Sequence, residues 1–348
     1  MKKILTTICA VAMLAGCTAG GSKKSSTNTS TKEETAATVM VGTGSVTSVS
    51  NKAKEGSDTA AQFDTTFASV VLEGNVIKYV YFDVAQDKVT YDATGHVTSD
   101  NTTSMSKKDL GDNYGMKDKS PIKKEWYEQV EALEKWAVGK PVEEVLNMPT
   151  TQKDEKHTVT ADKDLMTGCT ISVTGFQQAL DKAAKNAVEV KDVASVGSAI
   201  LTEVSGKDAS AEKSGEAKAS STYGVVALDK DGKVVFTQTD VAQNAVKFTT
   251  AGALDGEAMA VPTKAEKKDE YGMKKASSIG KEWFEQNQAY DEWTVGKTAK
   301  EIADMKVTTN EGGKTVTADK DLMTGCTMGV DSLQKVTETA IAAASKLN

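Results

Sequence analysis

The run Asp164-Leu165-Met166-Thr167-Gly168-Cys169-Thr170 returns unchanged as Asp321-Leu322-Met323-Thr324-Gly325-Cys326-Thr327, 157 residues later. The identity extends over thirteen residues, Thr158–Thr170 against Thr315–Thr327. The same offset aligns Asp83 with Asp240, Tyr114 with Tyr271, Trp126 with Trp283 and Val173 with Val330. A period this long is a whole domain, since solenoid units run about 20–50 residues. From Tyr114 to Val173, 33 of 60 positions match, while the rest of the two copies has drifted. Cores accept Ile for Val or Leu for Met at small cost. Packing alone therefore does not require an invariant run of Asp, Thr, Gly, Cys and Thr.

The N-terminus reads as export and anchoring. Lys2 and Lys3 precede an apolar stretch, Ile4–Leu14, and then Leu14-Ala15-Gly16-Cys17. That stretch is too short for a membrane span and fits a lipoprotein signal peptide over residues 1–16. Cys17 would be the lipidated first residue of the mature chain; the alternative is an ordinary signal peptide with a chance cysteine. A diacyl anchor supplies the two chains that stable attachment needs. Residues 17–40 are rich in Ser, Thr, Lys and Glu, lack aromatics, and read as a disordered tether. The remainder, roughly 330 residues with the tether, divides into two domains, 41–193 and 194–348, each large enough for its own core and separable near Lys191–Ser195.

Composition narrows the partners. The formal charge moves from −7 to −9 once Lys2 and Lys3 are removed with the signal. An acidic exported chain lacks the basic face that nucleic-acid binding needs. All 42 basic residues are lysine. Without arginine no bidentate fork is available for phosphate or carboxylate, so a phosphate must be held by lysine, backbone N–H groups or a covalent bond. Beyond Cys9 and Cys17, the only cysteines are Cys169 and Cys326. At matched positions of two copies they form no disulfide within either domain; they either bridge the domains or sit as small half-buried residues. The two histidines, His96 and His157, face Ala253 and Lys314 in the other copy. That argues against a histidine triad or a zinc site.

Along each copy the pattern predicts an α+β fold, a small antiparallel sheet with helices packed on it. An alternating opening segment, Val41–Ser50 or Val196–Ser205, precedes strands at Phe67–Leu72, Val76–Phe82 and Lys88–Tyr91. Ala85-Gln86-Asp87 is expected to separate the last two as a turn. The second copy gives Tyr223–Leu228, Lys233–Thr239 and Ala245–Phe248, with a hairpin turn at Asp229–Gly232. Ser120 or Ser278 is expected to cap a helix carrying the stripe Ile122, Trp126, Leu133 and Trp136, or Ile279, Trp283, Tyr290 and Trp293. Gly139 and Gly296 would end it. A short helix at Val142–Leu146, a strand at Thr158–Thr160 and closing helices at Phe176–Val188 and Leu333–Leu347 complete the reading.

The motif Asp-x-x-Thr-Gly-Cys-Thr resembles the flavinylation sequence of FMN-binding domains, Asp-x-x-Ser/Thr-Gly-Ala-Thr/Ser, with Cys169 or Cys326 where the family has Ala. The order of hairpin, Tyr114-Gly115-Met116 or Tyr271-Gly272-Met273, helix and motif is also similar to those domains. With the lipobox and tandem copies, the whole chain resembles the Gram-positive surface flavolipoproteins of extracellular electron transfer, the PplA type. The resemblance implies two covalent FMN groups, joined by phosphoester bonds to Thr170 and Thr327 by a flavin transferase. Asp164, Thr167, Asp321 and Thr324 would belong to the sequence that enzyme reads, and Gly168 and Gly325 would count with them among the cofactor-binding residues. The Tyr-Gly-Met loops would border the flavin, with Lys117 and Lys274 placing charge nearby. The expected function is a membrane-anchored redox carrier on the outer face of the cell membrane, with no turnover site of its own. It would take electrons from a membrane dehydrogenase or quinol and pass them to soluble flavin or ferric iron.

Blander readings stand beside this one. Thr-Gly-Cys-Thr can be a tight turn with a satisfied hydroxyl, and the tryptophans can be core anchors. A flavin-free binding or adhesion lipoprotein on the same duplicated fold is the alternative function. A third reading, an exported thiol protein, lacks any CxxC pair or neighbouring His to activate the cysteines.

Overall fold

A computed structural model describes residues 38–54, 57–155 and 157–347. The expected signal peptide, Cys17 and almost all of the tether lie outside the described residues. None of the helices within them is long and apolar enough to cross a membrane.

The fold is α+β. Three long strands, β1 (Val39–Lys54), β2 (Ser57–Glu73) and β3 (Val76–Tyr91), form an antiparallel meander, and the short strand Val188–Val190 joins its β1 edge. Two twelve-residue helices follow β3 among shorter ones, α1 (Trp126–Ala137) and α2 (Thr174–Lys185). The second half repeats this order with β4 (Ser195–Lys207), β5 (Gly215–Leu228) and β6 (Val234–Phe248), then α3 (Trp283–Thr294) and α4 (Asp331–Ala342). Ser345–Lys346 pairs with β4 as Val188–Val190 pairs with β1.

The strands run on where turns are expected. Ala85-Gln86-Asp87 lies inside β3, paired with Asp64-Thr65 and Phe63 of β2 without interruption. Its polar residues do not mark a bend: Ala85 and Asp87 are buried while Gln86 points to the other face. The reason is that both faces of the sheet are covered. Side chains alternate across a strand. In β2 the even positions Ala68, Val70 and Leu72 pack on α1 and α2, through Leu133, Phe176 and Leu180 among others. The odd positions Phe63, Phe67 and Val71 pack on the sheet of the other copy.

The two sheets thus meet face to face, and equivalent residues touch. Phe67 lies 5.2 Å from Tyr223, its counterpart, and Tyr91 stacks on Phe248, its counterpart, at 3.8 Å. Contact between equivalent residues is the signature of an approximate two-fold relation. Polar groups join the junction too: the Ser69 and Tyr79 hydroxyls both meet that of Ser198, and the Thr43 N–H donates to Gln238 at 2.8 Å. One strand crosses over, Thr102–Ser104 of the first copy pairing with β4 of the second. Residues 191–194 connect the copies without helix or strand, yet the sheets on either side share three buried clusters.

The helix start also differs from expectation. α1 begins at Trp126, with Glu125 as N-cap in a reciprocal box with Glu128, and α3 is capped by Glu282 and Glu285 in the same way. Ile122 and Ile279 lie before the helices, and Ser120 is committed elsewhere. At the other end Gly139 and Gly296 adopt left-handed φ of 86° and 81°, as a helix C-terminus favours. The helix Val142–Leu146 and the strand Thr158–Thr160 stand where the sequence pattern puts them. The closing helices are shorter than predicted, because their last residues turn back to pair with β1 and β4.

Candidate functional site

The identical heptamers divide their residues three ways. Asp164, Thr167, Asp321 and Thr324 are exposed, on a turn held by Asp162 or Asp319, whose carboxylate accepts from the N–H groups of Asp164 and Leu165 or of Asp321 and Leu322. Leu165 and Cys169, like Leu322 and Cys326, are buried in the core. Gly168 and Gly325 are buried against the helix: a Cβ there would approach the Ala132 or Ala289 methyl to 2.8 or 2.6 Å. Only glycine lets the turn lie this close. Thr170 and Thr327 are half-buried and face a cavity.

Each copy has one such cavity, of about 670 Å³ in the first and 680 Å³ in the second. Both are within the range typical of small-molecule sites. The floor comes from the helix-facing positions of the strands, Thr66, Val84 and Gln86 or Thr222, Val241 and Gln243. Tyr114, Gly115, Met116 and Trp126 line the first, and Tyr271, Met273 and Trp283 the second. The loop and the motif threonine, far apart in sequence, therefore share a wall. Gly272 does not itself line the second cavity. Gly115 and Gly272 cap a 3-10 turn with φ of 71° and 76°, and no packed atom would obstruct a side chain there. Backbone conformation, not close approach, explains these two glycines.

A glutamine that the sequence reading passed over joins loop and threonine. Gln129, completely buried on α1, donates from Nε2 to Ser120 Oγ at 3.1 Å, to the Lys124 carbonyl at 3.1 Å and to Met116 Sδ at 3.5 Å. With the amide so oriented, Oε1 accepts from the Thr170 N–H at 2.9 Å and the Thr170 hydroxyl at 3.0 Å. Gln286 repeats the arrangement with Ser277, Lys281 and Met273, and takes the N–H groups of Thr327 and Met328 at 2.9 and 3.1 Å. The Thr327 hydroxyl is held more loosely, at 3.4 Å. Invariance of a polar residue three positions after Trp126, on the buried helix stripe, was the available signal.

Glu125 fixes the loop from the other side, its carboxylate accepting from the Met116 and Lys117 N–H groups at 2.8 and 3.0 Å. Glu282 holds Met273 and Lys274 at the same distances. This backbone role turns the Lys117 and Lys274 side chains out to solvent, away from the cavities. The basic residues that line them beside the aromatics are Lys107 and Lys264. Lys107 Nζ lies 5.1 Å from the Tyr114 ring and 5.5 Å from Trp126; Lys264 lies 5.6 and 5.4 Å from Tyr271 and Trp283. Buried Asp83 and Asp240 anchor the turns that carry them, accepting from the Lys108 N–H at 3.1 Å and the Ala265 N–H at 3.0 Å. Burial pushes the Asp83 carboxyl up to about 6, against the pull of Ser106 and Lys108, and raises Asp240 as well.

Trp126 and Trp283 serve both as core anchors and as cavity wall, whereas Trp136 and Trp293 sit half-buried under Lys140 and Lys297. Cys169 and Cys326 are free thiols. Burial raises both to about 11, which leaves no thiolate near neutral pH and removes the support for thiol chemistry. No protein family, curated protein or solved structure matches this chain.

Proposed function

We propose that the chain is a membrane-anchored electron carrier with two tandem FMN-binding-like domains, each bearing one covalent FMN, on Thr170 and on Thr327. The observation that carries this reading is the convergence, in both copies, of the motif threonine and the Tyr-Gly-Met loop on one cavity of suitable size. The residues fit the group. A hydroxyl stands at the wall, aromatic faces and a lysine line the interior, and the motif's Asp and Thr remain exposed for a transferase to read. The cysteine that departs from the family pattern is buried in the core, so it leaves that exposed surface unchanged.

The chain's own contributions are positional. Gln129 and Gln286 hold the threonines against the loop; Tyr114 and Trp126, or Tyr271 and Trp283, form an apolar wall; Lys107 or Lys264 places a positive charge beside it. FMN supplies one- and two-electron redox chemistry when bound. A phosphoester forms when the threonine oxygen takes the place of one phosphorus substituent and the hydroxyl proton leaves with the displaced group. Attachment keeps the cofactor on an exported protein whatever the external flavin concentration, since reversible occupancy depends on ligand relative to Kd. A lipid on Cys17 would hold the carrier at the outer membrane face, between a membrane dehydrogenase or quinol and soluble flavin or ferric iron.

Intact mass after co-expression with a flavin transferase tests this. The mature chain should gain two FMN increments, each less one water, and Thr170→Ala and Thr327→Ala should each remove one. A colourless protein of unaltered mass would favour the flavin-free binding lipoprotein instead.

A further inference from the structure

The two cavities differ in their charged linings. In the second, Lys218 rises from β5, Lys264 projects from the turn after β6, and Lys314 reaches in from the loop before the strand Thr315–Thr317. Among the described residues none of the three forms an ion pair with a carboxylate. Glu203 and Asp331 also line this cavity; both are exposed, as is Lys314, while Lys218 and Lys264 are half-buried. Superposing Phe67 on Tyr223 puts Gln62 in the place of Lys218, and Asp64, which lines the first cavity, in the place of Ser220. There Gln62 donates to one Asp64 oxygen at 2.7 Å while the other is buried without a partner. His157, bound to Asp154 at 2.8 Å, replaces Lys314. The first cavity keeps Lys107, with Lys119 and Lys153 exposed at its lining.

We propose that the second cavity contains a phosphate-class anion site, formed by Lys218, Lys264 and Lys314, that the first cavity lacks. Three cations lining one cavity repel one another, and the partial burial of Lys218 and Lys264 limits screening between those two. Lys264 registers this: burial brings its amine down to about 8 against the pull of the buried Asp240 carboxylate, with the charges of Lys218, Lys314 and Lys267 adding to the fall. A dianion seated among the three would relieve both costs, and in a chain without arginine lysine is the side chain that offers a phosphate full positive charge. In the first cavity Asp64 would repel the same anion. The site stands whether or not the threonines carry flavin.

Competitive acetylation of the unmodified mature chain, read by peptide mass spectrometry, tests it with inorganic phosphate as the probe. Phosphate should protonate Lys264 more fully and slow its labelling, about tenfold for each unit its pKa rises, with no change at Lys107. Lys218→Gln should abolish the protection. Gln62→Lys with Asp64→Ser should confer it on Lys107, so the result does not depend on one variant folding. Equal sensitivity of Lys107 and Lys264, or none at either, overturns the site. On flavin-loaded protein, protection already complete without added phosphate would assign the anion to the cofactor, and continued response would assign it to a separate ligand.

Discussion

Phe248→Ala examines the junction on which both cavities are built. The ring is fully buried, one face stacked on Tyr91 at 3.8 Å with an interplanar angle of 7°. It also covers Gly215, where an added Cβ would meet Phe248 at 2.2 Å. Truncation therefore leaves a hole bounded by strand backbone and a second ring, and paired strands cannot close it. Phe→Ala substitutions cost about 3–5 kcal/mol, more where the site cannot collapse, so a loss of about 4–5 kcal/mol is expected. Urea unfolding gives the free energy, and hydrogen exchange by mass spectrometry reads each copy separately. Because the ring belongs to a cluster with Phe63, Val89 and Tyr91, protection should fall in β3 as well as β6. Combined with Tyr91→Ala, the losses should be non-additive by about 0.5–1.5 kcal/mol, the range for stacked aromatic pairs. Additive losses, or exchange raised in the second copy alone, would refute a shared core.

Gln129→Leu removes the acceptor of the Thr170 N–H and hydroxyl; it should cost about 1–3 kcal/mol for the unsatisfied amide and slow flavin incorporation at Thr170 while Thr327, in the same molecule, serves as control. Equal incorporation at both threonines would reduce Gln129 to a packing role. Asp83, raised to about 6 in the fold, binds more protons in the native than in the unfolded chain between its ordinary range near pH 4 and pH 6. Its contribution is therefore present below pH 4 and is lost as pH rises through 6. The loss is on the order of 2–3 kcal/mol, and Asp83→Asn should flatten that slope in denaturant titrations at successive pH values; an unchanged slope would place the titration elsewhere.

Much of the local structure was legible along the chain. The hydrophobic stripe of α1, the glycine after it, the short helix at Val142 and the strand at Thr158 all follow from residue spacing and the conformational limits of single residues. Helix α1 starts later than Ser120 suggests because Glu125 and Glu128 satisfy the first N–H groups reciprocally. That choice depends on where the preceding loop goes. The invariant heptamer announced a constraint beyond packing, and its glycine, cysteine and threonine proved to have separate surroundings: helix contact, core and cavity.

Alternation along β2 and β3 states which residues share a face, but not what covers it. Phe67 and Tyr91 could not reveal their partners, because those partners are their own counterparts in the other copy, brought opposite by an approximate two-fold relation. Likewise Lys117, adjacent to the Tyr-Gly-Met loop in sequence, points to solvent, while Lys107 reaches the ring faces from a turn that buried Asp83 holds. Sequence order determined the elements and the identity of the invariant residues through local sterics and periodicity. Which lysine, which glutamine and which sheet face meet at a cavity was decided by packing between distant segments, where burial and hydrogen-bond satisfaction outweigh proximity along the chain.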